Sequence, residues 1–172
     1  IYDMDYVCVK APIFSFTRLP NADPVLGVEM ASTGEVACYG SDINDAFLKS
    51  MVASGFKIPK KNVLISINKV YREYLLESLR KLKDFNIFAT PTTSKFLTEH
   101  NINNTKLNYQ EVFEHINSNK VELIINIPSN VDTNEIAITN GFKIRRASIN
   151  SGVPLITDIK LTILTISSLN YI

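Results

Sequence analysis

NIFATPTTSKFLTEH, residues 86–100, starts as an apolar strand, breaks at Thr90-Pro91 and resumes at once as a helix whose first turn carries Thr92, Thr93 and Ser94. The first N–H groups of a helix have no partner inside it, and the helix dipole adds partial positive charge there. A phosphate or carboxylate is therefore the natural guest at such a junction. Taken alone, the commoner reading is that a threonine merely caps the helix. The rest of the chain has to decide between the two.

Outward from this segment, strands and helices alternate. Asn62–Ile67 (NVLISI) reads as a strand. Tyr71–Lys83 reads as an amphipathic helix with Tyr71, Tyr74, Leu75, Leu79 and Leu82 on one face. A strand at 87–89, a helix at 93–100, a short strand near Lys106-Leu107 and a helix at 109–117 follow. Val121–Ile127 (VELIINI) is almost continuously apolar, as a strand covered on both faces must be. Helices are predicted at 133–140 and from Asp158 onward. Alternation of this kind predicts an α/β fold with a doubly wound, mostly parallel sheet whose ligands sit beyond the carboxyl ends of its strands. Before Ile58-Pro59 the style differs: residues 7–40 read as short extended pieces between turn signals, followed by a helix from Asp42 to Ser54 that stops at Gly55. No repeat or low-complexity linker interrupts the chain.

The predicted topology makes a demand on the residues just past each strand. Strand one runs out at Ser66-Ile67-Asn68-Lys69 with Arg72 close behind, the second at Thr90–Ser94, and the fourth at Asn126-Ile127-Pro128-Ser129-Asn130; Arg145-Arg146 lies beyond the next turn. Each residue alone has a dull explanation, a loop asparagine or a solvated arginine paired with Glu73 or Glu77. Convergence of hydroxyls, amides and guanidinium groups on one sheet edge favours a pocket.

Composition narrows the classes. Lys and Arg number 18 against 17 Asp and Glu among 172 residues, so no broad field draws the chain to nucleic acid or an anionic membrane. The longest apolar stretch, LTILTISSL, is too short and too hydroxylated to span a bilayer. The two cysteines, Cys8 and Cys38, form neither a CxxC pair nor a disulfide framework. They are read as small core residues of a soluble protein in a reducing compartment, the cytoplasm. Glu29 and Glu35 invite an acid–base reading, but nothing places them together in a pocket. His100 and His115 fall within helical segments as surface or packing residues.

Residues 9–40, VKAPIFSFTRLPNADPVLGVEMASTGEVACYG, resemble the end of the second ATP-grasp unit of carbamoyl-phosphate synthetase large subunits, and AFLKSMVASGFKIPKKNVLISI carries the likeness across the junction. From about residue 59, NIFATPTTSKFLTEH, LIINIPSN and IRRASINSGVPLITD resemble the C-terminal allosteric domain of the same family, which is shaped like methylglyoxal synthase. The resemblance implies two parts, 1–58 from the ATP-grasp unit and 59–172 the allosteric domain. It implies a parent enzyme that makes carbamoyl phosphate from bicarbonate, two ATP and ammonia. The ATP and the Mg or Mn would be held upstream of position 1, with no catalytic residue, metal or cofactor in this piece. The implied partners are the rest of the synthetase with its glutaminase unit, an anionic effector and, as a further option, a homo-oligomer.

Carried across by position, the effector residues would be Ser66, Arg72, Thr90, Thr93, Tyr109, Asn126 and Ser129, with Arg145 and Arg146 closing the rim. Many relatives have Gly in place of Thr92, those that sense N-acetylglutamate have Trp in place of Tyr109, and the last polar contact near Asn140-Gly141 is displaced. The wording of VEMASTGEVACYG and TSKFLTEHNI looks closer to pyrimidine-pathway members, which implies a uridine nucleotide such as UTP or UMP, with phosphoribosyl pyrophosphate as another effector. The alternatives are an N-acetylglutamate-sensing, ammonia-type domain and a free-standing methylglyoxal synthase. The latter should show an acidic catalytic residue and a histidine by the phosphate cradle, and SINK at 66–69 supplies neither.

Overall fold

A computed structural model describes residues 4–14, 23–25, 34–128 and 139–171. Its centre is a five-stranded, wholly parallel sheet made of β3 (Asn62–Ile67), β4 (Asn86–Ala89), β5 (Thr105–Lys106), β6 (Leu123–Ile127) and β7 (Leu155–Ile156), in the order β5-β4-β3-β6-β7. Preceding it, β1 (Val7–Ile13) and β2 (Gly34–Gly40) form an antiparallel ribbon against which α1 (Ile43–Ala53) packs. The sheet's helices are α2 (Arg72–Arg80), α3 (Pro91–Glu99), α4 (Tyr109–Asn117), α5 (Asn140–Ser151) and α6 (Ile159–Leu169).

The two apolar faces of the sheet explain its strand sequences. Val63, Ile65, Ile67, Leu123 and Ile125 point to one side, where Leu75 and Leu79 of α2, Leu97 of α3 and Ile166 of α6 cover them. Leu64 and Ile124 point to the other side, under Val112 and Ile116 of α4 and Ile144 of α5. Every residue of β6 is buried, the pattern of a strand with helices on both faces. In α2 the inward stripe is Leu75, Ser78 and Leu79, continued by Leu82 beyond the helix; this turns Tyr74, predicted on the apolar face, outward to 73% exposure.

Three other expectations change. The cysteines are not core residues: Cys8 is exposed and Cys38 half-buried, because a two-stranded ribbon with α1 on one side leaves its other face to solvent. Strand β7 went unread, since two residues are too few to show a period. The helix predicted at 133–140 falls mostly outside the described residues, and the helix that is described there starts at Asn140 and takes in Arg145 and Arg146, placing them within a helix and not simply past a turn. Glu29 also lies outside the described residues, whereas Glu35 on β2 pairs with Lys10 at 2.7 Å.

The junction into the sheet is fastened at its amino end. One oxygen of the Glu122 carboxylate accepts from the backbone N–H groups of Lys60, Lys61 and Asn62 at 3.0, 2.7 and 2.9 Å. Partial burial works to raise its pKa, but the three donors outweigh it and hold the carboxyl below its usual value.

Candidate functional site

Chain order places a crevice in the sheet. The connection from β3 runs through α2 to β4 on one side, and that from β6 runs through α5 to β7 on the other, so the strand order reverses between β3 and β6. Their carboxyl ends splay a binding crevice at this switch point. Ser66 and Asn126 are register partners there, and the N–H of Asn68 donates to the Ile127 carbonyl at 3.0 Å to close the last rung.

Strand β4 stops at Ala89, one rung short of Ile67, and α3 supplies what the strand does not. Thr93 Oγ1 accepts from the Ile67 N–H at 3.1 Å and receives the Thr90 hydroxyl at 3.2 Å; Thr90 Oγ1 also reaches Ser66 Oγ at 3.4 Å. Thr90 and Thr93 are 2% and 1% exposed. Their hydroxyls thus tie α3 to the end of β3 and leave the α3 terminus uncapped: Thr90 holds the N-cap position, yet its side chain makes no cap hydrogen bond to the first turn, and among the described residues none replaces it. By contrast α1, α4, α5 and α6 are capped by Asp42, Asn108, Thr139 and Asp158. A cap alone therefore does not explain the threonines. Ser94, also read as a donor at this edge, turns away to donate to Asn104 Oδ1 at 2.6 Å.

A cation sits at that same terminus. Arg72 Nε donates to the Ile67 carbonyl at 2.9 Å and Nη2 to Thr92 Oγ1 in the first turn of α3 at 2.8 Å. Burial lowers its pKa, though an arginine stays charged at any ordinary pH. Its hydrogen bonds among the described residues thus go to neutral oxygens, and it adds positive charge to the positive end of a helix. Among the described residues no carboxylate pairs with Arg72, so the guanidinium and the helix terminus present like charge to the same place, where an anion would be favoured.

Across the crevice, Arg145 is not a rim residue. It is 4% exposed on α5, donating through Nη1 to Asn126 Oδ1 at 2.8 Å and through Nε to Asp23 Oδ1 at 2.6 Å, with Nη2 on the other Asp23 oxygen. A Cβ at Gly141 would stand 3.2 Å from that guanidinium, so the absence of a side chain lets the first turn of α5 come down on it. Arg146 follows, half-buried, on the same helix. Tyr109 begins α4 two residues past Leu107, whose N–H extends the β4–β5 pairing onto the Ala89 carbonyl, and it is 37% exposed. Ser129 lies outside the described residues.

Sequence reasoning pointed to this sheet edge and to the neighbourhood of Asn140-Gly141 but not to Asp23 or the Thr92–Arg72 contact; Asp23, 122 residues from Arg145, gave no local signal. One pocket of about 260 Å³ opens on the β6–β7 side of the same edge, walled by Tyr71, Ile127, Pro128, Thr157 and the start of α6, with Val25 across it. Its lining includes none of the eight predicted site residues that are described. Both histidines pack as expected: His100 lies on the Phe96 ring and His115 sets its edge to Phe88, each with Nδ1 on a carbonyl one turn back. No cluster that could hold a metal ion occurs among the described residues, and no described helix is long and apolar enough to cross a membrane.

The parallel sheet and its switch-point crevice define an MGS-like fold, and residues 74–157 match the MGS-like domain family. A crystal structure of methylglyoxal synthase from Elizabethkingia anophelis has the same fold, with a TM-score of 0.50 and 15% identity over 60% of this chain and 74% of that one. Over nearly its whole length the chain is similar to part of much longer proteins. It is 44% identical to the Multifunctional protein URA2 of Saccharomyces cerevisiae over 96% of this chain and 8% of that protein. It is 40% identical to the mitochondrial carbamoyl-phosphate synthase (ammonia) of Homo sapiens over 94% of this chain and 11% of that protein. The chain therefore spans about a tenth of the length of these relatives and corresponds to a carbamoyl-phosphate synthase region that carries the MGS-like domain.

Proposed function

We propose that this region is the regulatory, effector-binding part of a carbamoyl-phosphate synthase of the glutamine-hydrolysing, pyrimidine-pathway kind, and that its effector is an anionic uridine nucleotide such as UTP or UMP. The observation that carries the reading is Arg72 at the uncapped start of α3. A guanidinium and the dipole of a helix both present positive charge to one crevice, and a phosphate relieves the repulsion between them. Ser66 and Asn126 offer neutral donors and acceptors suited to a sugar or base, and Tyr109 an exposed ring. In this reading ATP and the Mg or Mn of the parent are held elsewhere, and the rest of the synthetase with its glutaminase unit are the partners that receive the signal. Regulation then requires only that the effector bind two states of the parent unequally.

Calorimetric titration of the chain with UTP, UMP, phosphoribosyl pyrophosphate and N-acetylglutamate tests this. Binding of a uridine nucleotide is expected. A response to N-acetylglutamate alone would reject the nucleotide, and turnover of dihydroxyacetone phosphate would reject a purely regulatory role.

A further inference from the structure

Arg145 is a buried cation whose counter-charge comes from far outside its own element. The guanidinium is 4% exposed and is fixed by α5 and by Asn126, whereas the carboxylate facing it belongs to Asp23, whose side chain is 38% exposed. A guanidinium taken out of water requires an anion, but not a particular one. The bidentate geometry is what any carboxylate or phosphate would adopt there. Asp23 does not come alone: Pro24 is buried and Val25 walls the neighbouring pocket, so three residues of the N-terminal part lie strapped over the carboxyl edge of the sheet.

Resting on the reading of this edge as an anion-effector site, we infer that Asp23 is an internal occupant of it, a tethered carboxylate that an incoming anionic effector displaces from Arg145. Asn126 belongs both to the crevice and to the Arg145 contact, so a ligand that engages Asn126 arrives within reach of the guanidinium. Displacement transfers Arg145 from one anion to another, leaves no buried charge unpaired, and frees residues 23–25 from the sheet edge. Binding is then coupled to the position of a segment in the N-terminal part, which gives the effector a mechanical output. The apparent affinity of a ligand is reduced by the fraction of molecules in which its site is open. If the strap occupies Arg145 about nine-tenths of the time, removing it should tighten binding about tenfold.

The test compares the wild-type chain with Asp23→Asn, titrated calorimetrically with UTP and with inorganic pyrophosphate. A gain of about tenfold for either anion in Asp23→Asn supports displacement. Equal or weaker binding in the variant overturns it while leaving the effector reading intact. No binding of either anion to either protein removes both. Because Asp23→Asn weakens the partner of a buried cation, a second measurement uses wild-type protein alone. Saturation with UTP should abolish the nuclear Overhauser cross-peaks between the Val25 methyls and their pocket neighbours, and cross-peaks that persist at saturation would refute the displacement.

Discussion

Thr93→Val isolates the rung that α3 lends to β3. Valine nearly reproduces the shape of threonine, so at a position 1% exposed the change introduces no sizeable cavity and removes only the hydroxyl. The loss falls on the Ile67 N–H, whose acceptor at 3.1 Å disappears inside the protein, and on the Thr90 hydroxyl, which keeps Ser66 Oγ at 3.4 Å. A buried donor left unsatisfied costs about 1 to 3 kcal/mol. For a chain of this size each kcal/mol lowers the melting temperature by roughly 2 to 4 °C, so a fall of roughly 2 to 12 °C is expected. Thr93→Ser, which retains the oxygen, should lose markedly less. Thermal unfolding followed by circular dichroism reads both. If Thr93→Val melts with the wild type while Thr93→Ser does not, the backbone of β3 does not depend on this oxygen. The same variant should weaken binding of an anionic effector by a further 1 to 3 kcal/mol or so if the hydroxyl also reaches the ligand.

Arg72→Met preserves the apolar stem and deletes the cation; it should weaken UTP binding by about 1.5 to 3 kcal/mol in calorimetry, and unchanged affinity would detach Arg72 from the site. Leu79→Ala, at a fully buried position of α2, should cost about 2 to 5 kcal/mol in urea unfolding, and a cost below about 1 kcal/mol would mean that the core beside it collapses to fill the space. Glu122 has a depressed pKa in the folded state, so its contribution is present above the ordinary glutamate pKa of about 4.3 and is lost as pH falls through the lower folded value. Glu122→Gln, screened by solvent and keeping one acceptor oxygen, should cost no more than about 1 kcal/mol at neutral pH and flatten the acid limb of the stability profile; equal acid slopes for the two proteins would contradict the clamp.

Much of the sheet was legible because its signals are local and periodic. NVLISI announces a strand and VELIINI one covered on both faces; β3 matches its predicted bounds and β6 starts two residues later than read. Residues 109–117 likewise form a helix as read, opened by a capping box between Asn108 and Glu111. The break at Thr90-Pro91 was legible, but α3 starts at Pro91 itself and not at the predicted residue 93, because proline suits the first helical position, where no N–H is needed. What escaped was set by distance in the chain. Tyr74 faces water because the packing of α2 rotates its stripe, and Arg145 is buried because α5 begins at Asn140 and because Asp23, 122 residues away, meets its charge. Pairings of that kind leave no trace in spacing or composition.

Helix α6 is covered on two sides. Ile166 and Leu169 face the sheet, while Thr165 Oγ1 donates to the Met51 sulfur at 3.8 Å and Ser168 Oγ to Asn44 Oδ1 at 3.4 Å on α1. That double burial accounts for its sequence: LTILTISSL has small hydroxylated residues where another helix must come close. Anyone trimming the chain at residue 58 to obtain the sheet domain by itself would leave this flank bare to water, and should replace its neighbouring apolar side chains with charged ones to keep the product dispersed.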